Sequence, residues 1–262
     1  MALHEKPAPW PCGHVEKQQA PSIGDIGMHT AITGISSMAT RRVLAELAQA
    51  WQARGGAALA LESVGGVDAA RRVQAGEAFD AVFLASDAID QLIASGHAVA
   101  GSKVDLVLSR TAVAVLAGTE PPDIGTEAAL RDAVLAAPSI GYSTGPSGVA
   151  LQKLFQAWGV AEQLQPRLVQ ARPGVPVGQL VADGEVALGF QQLSELIHVP
   201  GITIVGPLPD AVAIDTIFSG AVVAGSAQAQ AVQQLLAFMA SEAAAAAKHQ
   251  QGMAPAAVPA TL

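Results

Sequence analysis

The chain is short of charge, aromatic rings and cysteine. Charged residues make up 14% of its 262 residues and aromatics 4%. The single cysteine, Cys12, has no partner for an intrachain disulfide and cannot build a multi-cysteine metal site. Lysine and arginine total 14 against 22 acidic residues, for a formal charge of −8, and no basic run gathers them. That balance argues against nucleic acid and against anionic membrane surfaces. It does not argue against a small anion, because a few focused donors outweigh net charge locally. No apolar run reaches the ~18 residues of a membrane span, so no membrane insertion is expected. Gly-x-Gly-x-x-Gly and a Walker lysine motif are missing, which disfavours nucleotides. The six histidines are scattered without a His-x-x-x-His pair. No cofactor and no metal are therefore expected.

What the chain does have is apolar substance, 51% of residues, enough for one large or two medium α/β domains. Residues 1–27 carry three prolines before Val15 and no apolar signal-peptide core, and read as an extension outside the folded part. From Met28 onward, strand-like and helix-like patterns alternate. Strands are predicted over 31–35, 58–63, 79–85, 106–108, 112–117, 139–143, 168–171, 186–191, 203–205 and 214–222. Helices are predicted over 40–53, 67–75, 87–94, 130–135, 147–158 and 177–182, with one alanine-rich helix over 227–250. Regular alternation argues for mainly parallel sheets flanked by helices, which bind ligands at the carboxyl ends of their strands.

Four loops that follow strands and precede helices are rich in small residues. The first runs Gly34 to Thr40, with Ser36 and Ser37, and leads into Arg41 and Arg42. The second contains Gly65 and Gly66, and the third Ser143, Gly145, Ser147 and Gly148. The fourth contains Arg172, Gly174 and Val175. Free N–H groups at helix starts carry partial positive charge, and small residues let an anion reach them. Ordinary helix capping explains any one such loop; four that converge would make a cage. Arg41 suits a carboxylate, because a guanidinium pairs with it bidentately. Gln191 and Gln192 add neutral donors.

Enzyme signals are sparse. Gly141-Tyr142-Ser143-Thr144-Gly145 fits Gly-x-Ser-x-Gly, with Asp183 and His198 following in hydrolase order. A nucleophile elbow needs its helix to start at the serine, and here Gly145-Pro146 intervenes. Glu195, His198 and Tyr142 remain as candidate proton carriers.

At these loops the chain resembles the periplasmic molybdate-binding proteins, soluble receptors of ABC importers. The resemblance spans about Met28 to Ala254. It rests on Ala70-Arg71-Arg72-Val73-Gln74-Ala75-Gly76 before Phe79 to Ser86, on Pro146-Ser147-Gly148, on Leu180-Val181 through Gly184-Glu185 to Leu188-Gly189, and on Gly252 to Ala256. It implies a two-lobed α/β fold of the periplasmic-binding type (type II), with lobe one at 28–108 plus 213–262 and lobe two at 109–212. A small anionic ligand would sit between the lobes, a hinge would close over it, and the partner of a monomeric receptor would be an ABC permease. The family's compartment is the periplasm, whereas the absence of an export signal in 1–27 leaves cytoplasmic residence open.

The departures concern the ligand. An ungapped match puts Ala39 where the family has its first-loop serine. Gly65, Gly66 and Val67 replace second-loop serines, and Gln192 replaces a tyrosine that contacts the oxyanion. Bacterial aconitate isomerases, which resemble the same family, use this fold with an organic-anion cleft. Three functions are thus expected in turn: capture of an oxyanion or carboxylate, isomerisation of an aconitate-like tricarboxylate, and ligand sensing without transport.

Overall fold

The computed structural model describes residues 31–172 and 174–256; the extension at 1–27 lies outside them. β1 (Ile32–Ser37), β2 (Leu59–Val64) and β3 (Ala81–Ala85) form a parallel set with β1 in the middle. Each leads into a helix: α1 (Arg41–Gln52), after one tight turn at Met38–Thr40, then α2 (Gly66–Gln74) and α3 (Ser86–Ala94). All five residues of β3 are buried, and they alternate between two cores. Phe83 packs with Val43, Leu44 and Leu47 of α1, whereas Val82 and Leu84 pack with Val73 of α2 and Leu92 of α3. A strand covered on both faces reads as a continuous apolar run, as this one does.

The pattern predicts two strands around the polar triplet Ser109-Arg110-Thr111. The structure instead has one thirteen-residue strand, β4 (Val104–Leu116). The triplet stays in the ladder because its backbone finds partners. Arg110 lies opposite Asp215 of β9 (Asp215–Val222), and the Thr111 N–H donates to the Ile214 carbonyl at 2.9 Å.

The second parallel set is β5 (Ile140–Tyr142), β6 (Leu168–Gln170) and β7 (Leu188–Gln192), with β5 in the middle. Between these strands run α5 (Pro146–Ala157), α6 (Ala161–Leu164) and α7 (Val177–Ala182). Ahead of them α4 (Glu127–Ala136) is capped by the Thr126 hydroxyl, which accepts from the Ala129 N–H. After β7 come one turn of helix, α8 (Leu193–Leu196), and β8 (Ile202–Pro207). Leu130, Val134, Leu151 and Phe155 cover one face of this sheet against Val113, Ile140, Leu188 and Phe190.

The alanine-rich stretch is two helices rather than one, α9 (Ala229–Ala240) and α10 (Ala245–Gln250). Ser241 is extended, and its hydroxyl donates back to the Phe238 carbonyl at 2.7 Å. Serine competes in this way for backbone groups that a helix would otherwise use. The strand β10 (Met253–Pro255) then pairs antiparallel with β4.

The sheet order is β2-β1-β3-β9-β4-β7-β5-β6, with β8 and β10 also on β4. β9 and β7 both run antiparallel to β4, β9 along its first half and β7 along its second. It follows that β1–β3 run with β4 and β5–β7 against it. The carboxyl ends of the two parallel sets therefore point towards one another, with β4 passing between the sheets.

Candidate functional site

The facing strand ends aim the loops that follow them at the space between the two parallel sets. In the first loop the Ser36 hydroxyl lies 2.8 Å from that of Ser63, and the Thr40 hydroxyl donates to the Ser37 carbonyl at 3.2 Å. The second loop abuts it, since a Cβ on Gly66 would lie 3.6 Å from that of Ser37. In the third, the Ser143 hydroxyl accepts from the Gly145 N–H and lies 3.1 Å from the Ser147 hydroxyl. Gly148 is required there, because a Cβ would come 1.8 Å from the Ser143 carbonyl oxygen. α5 begins at Pro146, three residues past Ser143, so no nucleophile elbow forms. In the fourth loop Arg172 and Gly174 are exposed and Val175 is half-buried, with Gly174 at φ 80°.

Gln191 and Gln192 are both buried. The Gln191 side-chain carbonyl accepts from the Gly178 N–H at 3.2 Å, in the first turn of α7. The Gln192 amide donates to the Thr216 hydroxyl at 2.8 Å. Thr216 lies opposite Ser109 in the ladder, and Thr111 opposite Gln192. The hydroxyls of Ser109 and Thr111 and the side-chain oxygen of Gln192 have no hydrogen-bond partner among the described residues. This buried polar seam on the shared strands escaped the sequence reading. Its signal is visible afterwards: Ser109-Arg110-Thr111 interrupts an otherwise apolar run.

A cavity of about 120 Å³ opens where α8 meets the start of α1. Met38, Ala39, Arg41, Arg42, Pro176, Ser194, Glu195, His198 and Val199 line it. The Ser194 hydroxyl donates to the Ala39 carbonyl at 3.0 Å and holds α8 against the turn that precedes α1. Both arginines are exposed at the cavity wall. Neither pairs with a carboxylate among the described residues, whose ion pairs lie elsewhere. Glu195 is half-buried, and desolvation pushes its carboxyl up from 4.5 to about 7, against a smaller opposing effect of the Gln191 side chain. Of the anticipated residues, Arg41, Glu195 and His198 share this cavity. Tyr142 does not; it packs against the core of the second sheet.

A larger hollow, about 360 Å³, lies at the opposite, amino-terminal end of β3, beside Thr33, Phe79, Asp80, His97 and Ser226. Its carboxylate is already saturated. Asp80 accepts from the Thr33 N–H and hydroxyl, from Ser226 and from Gln228, at 2.7–2.9 Å. These bonds outweigh desolvation and hold its pKa below the ordinary aspartate value. The chemistry gathers at the smaller cavity.

Two parallel sheets that face each other across shared strands, with helix starts on both sides of the crevice, define the architecture of a solute-binding protein. The sequence model for bacterial extracellular solute-binding proteins matches residues 32–254, and the chain belongs to that family. It is 38% identical over 232 residues to an aconitate isomerase from a Pseudomonas species, covering 86% of this chain and 88% of the relative. Among solved structures it is similar to the periplasmic molybdate-binding protein of Azotobacter vinelandii, with 20% identity, a TM-score of 0.70, and coverage of 87% of this chain and 99% of that one. It is also similar to the sulfate-binding protein of Mycobacterium tuberculosis, with 18% identity, a TM-score of 0.71, and 87% of each chain covered. The structural likenesses define the fold. No helix among the described residues is long and apolar enough to cross a membrane.

Proposed function

We propose that this protein binds an aconitate-like tricarboxylate in the crevice and isomerises it by moving a proton between two of its carbons. One observation carries this reading: two arginines and a carboxyl of raised pKa line the same small cavity. Arg41 and Arg42 supply the charge that holds carboxylates. A carboxyl titrating near neutrality can both take and return a proton. Abstraction from the methylene carbon leaves an allylic anion whose charge spreads onto the substrate's carboxylates. Rotation in that anion and protonation at the former vinylic carbon give the other isomer, with no co-reactant consumed. The aconitate isomerase relative supports the substrate class, and the glycines at 65 and 66, in place of hydroxyl donors, weigh against molybdate.

The division into lobes at 108/109 and 212/213 belongs to this proposal, as does the hinge between them; the change of β4's partners after Arg110 supports it. So do the monomeric state, which the resemblance implies, and the extracytoplasmic location, which the family description suggests. A second reading, a receptor that hands the same carboxylate to an importer permease, is supported by the family itself.

The test is exchange between cis- and trans-aconitate, followed by ultraviolet absorbance. Exchange is expected in the wild-type protein. Glu195→Gln should lower the rate about 100-fold or more while aconitate still raises the melting temperature. Ligand-induced stabilisation with no exchange, even at high protein concentration, would favour the receptor.

A further inference from the structure

His198 is tied to the other side of the molecule. Its Nε2 lies 2.7 Å from the Gln251 side-chain oxygen, and the Gln251 amide nitrogen donates to the Glu46 carboxylate. Glu46 lies in the middle of α1, and Gln251, which is buried, directly follows α10. The chemistry of the three groups fixes their roles. A carboxylate only accepts, so Gln251 must turn its amide nitrogen to Glu46 and its oxygen to His198. That oxygen can only accept, so His198 carries its proton on Nε2. Nδ1 is left with the free lone pair in the neutral ring.

We propose that His198 is a second proton-carrying residue of the crevice, and that Gln251 and Glu46 are positioning residues that set its tautomer from the opposite side. This rests on the isomerase reading and extends it. Glu195 and His198 are three residues apart at the turn of α8, and both line the cavity. Two groups at one substrate divide the reaction. One base removes a proton from the methylene carbon, the other group delivers a different proton to the vinylic carbon, and exchange with water restores both. The arrangement is complete only while α8 lies against α1, so acid–base competence is coupled to contact across the crevice.

The experiment compares His198→Asn, Gln251→Ala and Glu46→Ala in the full chain by steady-state kinetics and by tracing deuterium from labelled aconitate. In the wild-type protein each turnover is expected to bring its new hydrogen from solvent. His198→Asn should lower kcat about 100-fold, and part of the label should then be carried from one carbon to the other. Gln251→Ala and Glu46→Ala should lower kcat about ten- to a hundred-fold with KM little changed. The paired exchange Glu46→Gln with Gln251→Glu keeps an acceptor facing His198 and a donor facing that acceptor. It should recover most of the lost kcat and displace the pH profile upward, because a carboxylate favours the imidazolium. The other titratable groups on α8, α1 and α10, namely Glu195, Arg41, Arg42, Lys248 and His249, are unaltered in that variant. Nitrogen NMR of the imidazole reads the tautomer without turnover: Nε2–H is expected in the wild type and a mixture in Gln251→Ala. Full activity in His198→Asn, or relay variants that alter only stability or KM, would overturn this inference and leave the isomerase reading standing. A wild-type protein that binds aconitate without exchanging it overturns both.

Discussion

At the scale of the residue, Glu195 carries the most consequence. Its carboxyl sits where burial disfavours charge, so the folded protein holds a proton that the unfolded chain has released. Between about pH 4.5 and 7 the native state therefore binds more protons than the unfolded state, and stability falls as pH rises through that window. Glu195→Gln removes this term. Its melting temperature should exceed that of the wild-type protein by a margin that widens from about pH 5 to pH 8; a margin independent of pH would sink the assignment. Glu195 and Arg41 were both visible as candidates in the sequence. Their shared cavity was not, because it depends on a 3.0 Å bond between Ser194 and the Ala39 carbonyl, across 155 positions of chain. Nor could the relay from His198 be read, since it joins residues 53 and 205 positions apart.

At the scale of the element, the helix starts were the most legible part. α7 occupies the predicted 177–182, and α5 starts one residue early, at Pro146, a residue suited to a first helical position. The pattern failed where a long-range partner decided the outcome. β4 runs through its polar triplet because β9 supplies a ladder, and the alanine-rich stretch breaks at Ser241 although propensity favours continuation. α8 is too short for periodicity to reveal. The third loop offers a local test. Gly148→Ala would drive a methyl group into the Ser143 carbonyl, which must move away, so the variant should lose about 1–3 kcal/mol and bind aconitate more weakly. Unchanged affinity would show that this loop does not frame the ligand. Asp80 offers a contrasting one, far from the crevice. Asp80→Ala strands the donors of Thr33, Ser226 and Gln228, and should cost about 1–3 kcal/mol while the proposed isomerase activity of the folded fraction is unchanged.

At the scale of the whole molecule, β4 and β9 join the two parallel sets whose carboxyl ends face each other. A ligand held from both sides stabilises the state in which the sides are close, and at a hundredfold excess over Kd that amounts to about 2.7 kcal/mol. Saturating trans-aconitate should raise the melting temperature and reduce the radius of gyration in small-angle scattering, and molybdate should do neither. The topology has a further consequence for how the protein is made. β9 fills the place between β3 and β4, yet β4 ends at Leu116 and β9 begins only at Asp215. At roughly 5–20 residues per second, a ribosome needs about 5–20 s to make the intervening segment. Throughout that interval the nascent chain carries β3 with one edge unpaired and Phe83 without Phe218, so this apolar, half-built sheet is the part of the polypeptide that a chaperone would meet first.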